Sequence, residues 1–293
     1  MRALGLGVVA VSTLLALQGT MDHARACAAC TTGDPTLTAF GTEEGYPGRL
    51  RVALEARSRH DALGPPIERV EVSELRTELG LAWAPTSWLF VQLAAPLLVR
   101  DVATWDGGSE TSLMVGDLGL RARFDLGAVV TGLSLSAGLS LPTAPRLERA
   151  GRPLAVEVQP GSGSFDPALG IAWSVRPRPW AVTLSAYGVW PTGDANPQLH
   201  LVATGQREVW RDGAQALALR AVLEGRVDGK ARENGSEVAD SGGFIAFAGL
   251  DLVLSPGTDW QVELGARVPI ADALVGYHDE PTFFVLAVAH DLR

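Results

Sequence analysis

The feature that most constrains this chain is a strict alternation of apolar with polar or small residues. From Leu133 to Leu141 every odd position is apolar and every even position is Ser or Gly. The same period of two recurs in Leu50–Arg57, Leu118–Phe124, Leu217–Glu224 and Trp260–Val268. Alternation of this kind places successive side chains on opposite faces of a β-strand. Because no segment shows a helical period over three turns, the chain is predicted to be all-β.

The connections between these segments alternate in length. Short turns rich in Pro, Gly, Asp and Ser lie at 84–87, 125–128, 176–179 and 255–258. Longer polar stretches lie between them, at 100–111, 142–163, 191–198, 228–242 and 271–280. A soluble sandwich has no reason to place all its long loops at one end, whereas an outer-membrane barrel has short periplasmic turns and long outer loops. The pattern therefore predicts an antiparallel transmembrane β-barrel.

Counting the strands supports this fold, because an even number returns the C-terminus to the side on which the barrel begins. The segment 199–210 has the poorest alternation. It is included because of this parity and because Trp210 precedes a predicted turn, Arg211-Asp212-Gly213. About twelve strands are predicted, at 48–59, 67–83, 88–99, 112–124, 129–141, 164–175, 180–190, 199–210, 215–227, 243–254, 259–270 and 281–292.

Six of the eight tryptophans flank the short turns: Trp83, Trp88, Trp173, Trp180, Trp210 and Trp260. The indole ring is apolar, but its N–H needs a polar partner, so Trp favours the interface between membrane and water. We interpret these six residues as an aromatic girdle. The alternative is that they are ordinary core aromatics at the ends of strands.

Charged residues occupy the positions that alternate with the apolar ones. If the apolar face contacts lipid, the other face lines the lumen, and unpaired charges there would be costly, so most are expected to pair. Twelve strands lie between the filled eight-stranded barrel and the open sixteen-stranded porin, which predicts a narrow or partly plugged pore. In a soluble β protein the same charges would simply be solvated. The predicted lumen-lining residues are Arg76, Glu78, Asp117, Arg121, Arg123, Asp166, Arg220, Glu224, Glu263 and Arg267.

The N-terminus predicts export. Residues 1–26 combine a positive start, an apolar run from Leu4 to Leu17 and a small-residue cleavage pattern, which is typical of a secretory signal peptide. Residues 27–47 form a CxxC segment, a tether or a plug, in which Cys27 and Cys30 are expected to form a disulfide in the oxidising periplasm. Two thiolates are too few for a structural zinc site, so no metal is predicted. Residues 48–293 are assigned to the barrel, in the outer membrane.

Several classes of function are disfavoured. With a net charge of −9 the chain lacks the basic stripe that nucleic-acid binding requires. No stretch is apolar for long enough to form a membrane-spanning helix. There is no G-x-S-x-G, H-E-x-x-H or phosphate-binding loop, so neither an enzymatic activity nor a cofactor is predicted.

Four motifs between about 115 and 195 carry a resemblance to a known family. They are Gly116–Phe124, Leu141-Pro142-Thr143, Gly161–Asp166 and Trp190–Gly193. The segment resembles bacterial outer-membrane β-barrel transporters related to the outer-membrane proteins of the phenol meta-cleavage pathway. Their pattern is a G-D-L strand, a strand ending L-P-T-G, a Gly-rich loop and a second strand ending P-T-G. This chain departs from it at Ala144, and it ends in Leu292-Arg293 rather than in an aromatic residue.

Together these observations predict an outer-membrane barrel that passes or binds a small solute, apolar solutes included. Its expected partners are membrane lipid and that solute. The alternatives are a structural or adhesive barrel without transport, a secreted soluble β-sandwich that binds a ligand, and, least favoured, an enzymatic barrel.

Overall fold

The computed structural model describes residues 47–63, 70–104, 108–149, 152–153, 159–233, 236–239, 241–276 and 278–292. The predicted signal peptide lies outside the described residues. So does the CxxC segment, including Cys27 and Cys30; only its last residue, 47, is described. Within the described part of the chain, no helix is long and apolar enough to cross a membrane.

Twelve long strands form one closed antiparallel barrel, which confirms the predicted fold class. Each strand pairs with the next along the chain. The last strand, β12, pairs with β1 and so closes the barrel; their pairing begins where Leu50 lies opposite Leu292. The strands are β1 (Leu50–Leu63), β2 (Val70–Trp83), β3 (Leu89–Thr104), β4 (Ser109–Val115, resuming as Leu118–Asp125), β5 (Leu133–Leu141), β6 (Asp166–Val175), β7 (Trp180–Val189), β8 (Gln198–Asp212), β9 (Gln215–Asp228), β10 (Gly243–Ser255), β11 (Trp260–Leu274) and β12 (Phe283–Leu292). Short ladders also occur in the connections: His278–Asp279 pairs with β1, Glu148–Arg149 with Arg152–Pro153, and Arg232–Glu233 with Ser236–Glu237.

The burial pattern is the reverse of that of a water-soluble protein. Large apolar side chains are exposed on the outer surface, among them Leu250 (72% exposed) and Leu169 (60%). Arg220 and Asp251 point inward and are only 2% exposed. A small apolar cluster lies inside the barrel near the ends joined by short turns, where Phe90 packs against alanines. The alternation in sequence therefore corresponds to an apolar outside and a charged inside.

Most strands differ from their predicted limits by a few residues, and two of them depart from the predicted pattern for a reason that the structure shows. The predicted strand 129–141 begins instead at Leu133, because the amides of Val129 and Val130 both donate to the carbonyl of Leu126 and form a turn. Gly132 ends this turn with a φ of 79°, and a Cβ there would lie 2.0 Å from the carbonyl oxygen of Ser174. Only glycine fits this position without distortion.

The predicted strand 112–124 is interrupted at Gly116-Asp117. Val115 and Leu118 are the outward residues on either side of the interruption, so two consecutive residues lie between them instead of one. This extra residue shifts the alternation within β4. By contrast, the weakly predicted strand 199–210 is present as β8, and an irregularity in its pairing between Glu208 and Trp210 explains part of its poor alternation.

Candidate functional site in the barrel lumen

The structure places all ten predicted lumen residues on the inward-facing side of the barrel. They divide into two groups by exposure. Arg121, Asp166, Arg220, Glu263 and Arg267 are buried, and Arg76, Glu78, Asp117, Arg123 and Glu224 are half-buried. Arg76 and Glu78 lie on β2, and the other eight lie on two walls of the lumen that have different chemistry.

One wall carries a network of ion pairs centred on Asp251. Arg220 Nε lies 2.8 Å from Asp251 Oδ2, and Arg267 Nη2 lies 3.1 Å from the same oxygen. Arg220 also pairs with Glu263. The four side chains come from β9, β10 and β11, which are neighbours in the barrel. Two cations and two anions thus form a neutral, buried cluster, as the cost of burying unpaired charges requires.

Glycines opposite the charged residues make room for this cluster. Asp251 of β10 pairs with Gly265 of β11, and a Cβ on Gly265 would lie 1.9 Å from Asp251 Oδ1. Arg267 pairs with Gly249 in the reciprocal arrangement, and a Cβ on Gly249 would lie 2.6 Å from Arg267 Cδ. Each charged side chain therefore lies flat across the glycine of the neighbouring strand, which brings both groups within hydrogen-bonding distance.

Further ion pairs extend the charged wall. Arg226 binds Asp228 at 2.9 Å and also pairs with Glu280, while Arg57 binds Glu55 at 2.6 Å. At the end of the barrel with the short turns, Arg49 and Arg51 share the carboxylate of Asp291. On the other side of β1, Arg100 of β3 pairs with Glu74 of β2.

Sequence reasoning missed Asp251, the centre of the main cluster. The signal for it was present, because Asp251 lies between Leu250 and Leu252, both of which are exposed on the outer face. Arg100 was missed for another reason. The predicted third strand ended at residue 99, whereas β3 continues to Thr104, so Arg100 was assigned to a loop.

The opposite wall, formed by β4, β5 and β6, is lined by small residues. Gly119, Gly138 and Gly170 have inward positions on these strands. A Cβ on Gly138 would lie 3.3 Å from Arg121 Cγ and 3.4 Å from Tyr187 Oη, and one on Gly170 would lie 3.0 Å from Tyr187 Cδ2. The glycines thus allow the ring of Tyr187 to lie against this wall beside Arg121.

A cavity opens along this wall, and we call it the lumen cavity. It contains about 670 Å³ of empty space, counting its open mouth, and its lining includes Arg76, Arg121, Tyr187, Asn196 and Gln198. Residues 159–165 of the β5–β6 connection cover part of the cavity at the end of the barrel with the long loops, since Pro160, Gly161 and Ser162 also line it.

Asp117 holds this connection in place. Its carboxylate accepts hydrogen bonds from the amide of Ser162 at 2.8 Å and from the amide of Ala144 at 3.0 Å. The hydroxyl of Ser162 adds a third at 3.3 Å. A Cβ on Gly161 would lie 2.3 Å from Asp117 Oδ2, so this glycine permits the close approach. The G-D-L and Gly-rich motifs of the sequence therefore meet here, as a loop anchor.

Replacing Asp117 with alanine is expected to release this connection. A hydrogen bond to a charged group contributes about 1.5–3 kcal/mol, so losing even one raises the population of the released loop about tenfold. The expected result is trypsin cleavage after the exposed Arg146 at least about ten times faster than in the parent protein. Asp125→Ala, at the end with the short turns, is the control. Equal cleavage rates in both variants would contradict the assignment of Asp117 as the anchor.

The six tryptophans flanking the short turns all lie on the outer face near that end of the barrel. Their exposure ranges from 38% for Trp173 to 53% for Trp88. Arg207 lies over the ring of Trp180 at 5.2 Å, and His290 stacks on Trp260 at 4.3 Å. Trp190 follows β7 at the opposite end and is also exposed. The outer surface thus has indole rings at its edge and aliphatic side chains between.

The closed barrel with its polar side inward defines the class of fold, and comparison with solved structures agrees. The chain is similar to an outer-membrane channel from Pseudomonas putida F1, with a TM-score of 0.63 and 15% identity over 85% of this chain and 97% of that one. It is also similar to the β-domain of the Bordetella autotransporter BrkA, with a TM-score of 0.54 and 12% identity over 84% of this chain and 100% of that one.

No protein-family model and no curated protein matches the chain. The structural similarities therefore show the fold, which is that of outer-membrane β-barrels, and they confirm the part of the sequence resemblance that concerns it.

Proposed function

We propose that this protein is an outer-membrane barrel that passes a small solute through a narrow, charged lumen. The observation that carries the proposal is the reversed burial: leucines on the outer surface are up to 72% exposed, whereas Arg220 and Asp251 inside the barrel are only 2% exposed. An apolar surface of this extent would promote aggregation in water, and a lipid bilayer removes that liability. The tryptophans beside the short turns would then lie at the periplasmic interface, after export directed by residues 1–26.

The asymmetry of the lumen favours passage of a solute over a purely structural role. Ion pairs fill the wall around Asp251, whereas small residues on β4 to β6 leave the lumen cavity open. A solute that follows the small-residue wall would pass the charged groups that line this cavity, among them Arg76 and Arg121. The resemblance of residues 115–195 to transporters related to the phenol meta-cleavage pathway supports small aromatic solutes as candidates.

The first experiment is to fractionate cells that express the tagged protein and to run the outer-membrane fraction on a gel, boiled and unboiled. A closed barrel resists detergent until it is heated, so the expected result is recovery in the outer membrane with a mobility that changes on boiling. Currents through planar bilayers containing the purified protein then test for a pore. A soluble periplasmic protein with a single mobility would contradict the membrane barrel, and a barrel without conductance would favour the structural alternative.

Replacing Arg121 and Arg123 with glutamate is expected to shift ion selectivity toward cations, because both side chains face the lumen. In a tenfold KCl gradient, where the limit is about 59 mV, we expect a shift in reversal potential of about 10 mV or more. The matched control is the replacement with glutamate of Arg207 on the outer face of β8 and of Arg178 in the adjacent short turn, both of which are exposed. An unchanged reversal potential in the first variant would contradict a conduction pathway past Arg121 and Arg123.

A further inference from the structure

The lumen cavity has buried hydrogen-bond donors that nothing in the described part of the protein satisfies. Asn196 and Gln198 line the cavity and are 3% and 4% exposed. The side-chain nitrogen of each has no hydrogen-bond partner among the described residues. A buried donor without a partner costs roughly 1–3 kcal/mol, so the two amides are expected to meet an acceptor when the cavity is occupied.

The side chain of Gln198 lies beside its neighbour His200. The ring nitrogen Nε2 of His200 lies 3.4 Å from Oε1 of Gln198, so the amide oxygen is on the side of the histidine. The ring of His200 is in turn beside Tyr187, with centroids 6.4 Å apart. In the tautomer with a proton on Nε2, His200 donates a hydrogen bond to the amide oxygen of Gln198. The NH₂ group of Gln198 is then left as a donor toward the cavity.

Arg76 adds a positive charge to these donors. Within the described residues it has no ion pair and no hydrogen bond, and it lines the same cavity. Arg121, also in the lining, forms an ion pair with Glu78 at 3.7 Å. The cavity thus contains two guanidinium groups, one of them without a protein partner in the described structure.

The acidic groups of the cavity are already engaged with donors from the β5–β6 connection. Asp117 accepts the hydrogen bonds of Ser162 and Ala144, and Asp166 accepts one from the hydroxyl of Ser164 at 2.7 Å. The formal charges of Arg76, Arg121, Asp117 and Asp166 balance across the cavity. The groups without a partner in the described structure, Arg76 and the amide nitrogens of Asn196 and Gln198, are all donors. The cation among them favours an acceptor that is negatively charged.

We propose that the lumen cavity binds a small organic carboxylate. The carboxylate group would be held by Arg76, Asn196 and Gln198, because a guanidinium and two amide NH₂ groups match its two oxygens. The apolar part of the solute would lie against Tyr187 and Val189, which also line the cavity. The proposal rests on the function proposed above, since it names the class of solute that the barrel passes.

The test is calorimetric titration of the detergent-solubilised full chain with benzoate, and with benzyl alcohol as the neutral compound of similar shape. We expect benzoate to bind at least about ten times more tightly than benzyl alcohol, as one charge-assisted hydrogen bond accounts for such a factor. Arg76→Gln and Gln198→Leu are each expected to weaken benzoate binding about tenfold. The second variant removes a donor without changing the charge, and heat-dependent gel mobility verifies that both variants fold.

Arg146→Gln is the matched control. It removes one positive charge from an exposed position on the β5–β6 connection, outside the residues that line the cavity. Benzoate binding should remain unchanged in this variant. If it weakens as much as in Arg76→Gln, attraction by overall charge explains the binding and the proposed site is wrong. Equal affinity for the two compounds, or no binding of benzoate, would also overturn the proposal.

Conductance in KCl separates this proposal from the proposed function. A parent protein that conducts ions but does not prefer benzoate contradicts the carboxylate site and leaves the channel intact. A protein that binds benzoate through Arg76 but carries no current contradicts passage through the lumen, while the binding site itself is supported.

Discussion

Replacing Leu250 with arginine is expected to destabilise the folded protein by about 2–4 kcal/mol in a lipid bilayer. Leu250 lies near the middle of β10 on the outer face and is 72% exposed. At the bilayer midplane an arginine side chain loses its hydration, whereas on the surface of a soluble protein the same change is usually within about 0.5 kcal/mol of neutral. One substitution therefore distinguishes a lipid-facing from a water-facing surface.

The control for this prediction is in the same strand. Leu254 is also on the outer face, but it is one residue from the end of β10 beside a short turn. An arginine there lies near the interface, and its expected cost is about 0–1 kcal/mol. Both values can be measured by urea titration in lipid vesicles, with the folded fraction taken from the mobility of unboiled samples. Equal and small effects at the two positions would contradict a membrane surface on β10.

Replacing Asp251 with asparagine is expected to cost about 3–5 kcal/mol, although the side chain hardly changes in size. Asp251 adjoins Leu250 in sequence but points inward, where it binds both Arg220 and Arg267. Without its charge, two buried guanidinium groups have only Glu263 as a counter-ion in this cluster. The cost arises from uncompensated buried charge rather than from the loss of a single contact.

A second substitution tests this explanation. Arg267→Met removes one of the two cations, so the double variant with Asp251→Asn should recover part of the lost stability because the cluster is again balanced. Glu208→Gln serves as the control, since Glu208 pairs with the exposed Arg211 and exposed ion pairs contribute little. An Asp251→Asn variant as stable as the parent protein in the same urea titration would contradict a structural role for the buried cluster.

Several elements of the fold were predictable from sequence because they depend on local alternation. The strand 199–210 shows how far this reasoning extends: its pattern is poor, yet parity required it and the structure contains it as β8. The start of β5 shows where it stops. Val129 and Val130 continue an apolar pattern, but hydrogen bonds to Leu126 form a turn instead, and nothing in the alternation distinguishes the two outcomes.

The partners within the lumen were less accessible. Arg220, Glu263 and Arg267 were assigned to the inner face from their phase, but Asp251, which joins two of them, was missed. Gln198 and Asn196 were missed as lining residues because neither belongs to an alternating pattern or a recognised motif. The cavity they line depends on Tyr187, which lies over one glycine of β5 and one of β6.

The sequence by itself determined the fold class, the approximate positions of the strands, and which face of each strand is apolar. It could do so because a period of two is a property of each segment alone. Only the tertiary structure decided which charges pair, where the β5–β6 connection is anchored, and along which wall of the lumen a cavity is left open. These features depend on the register between strands and on closure of β12 against β1, which bring together residues as distant as Arg51 and Asp291.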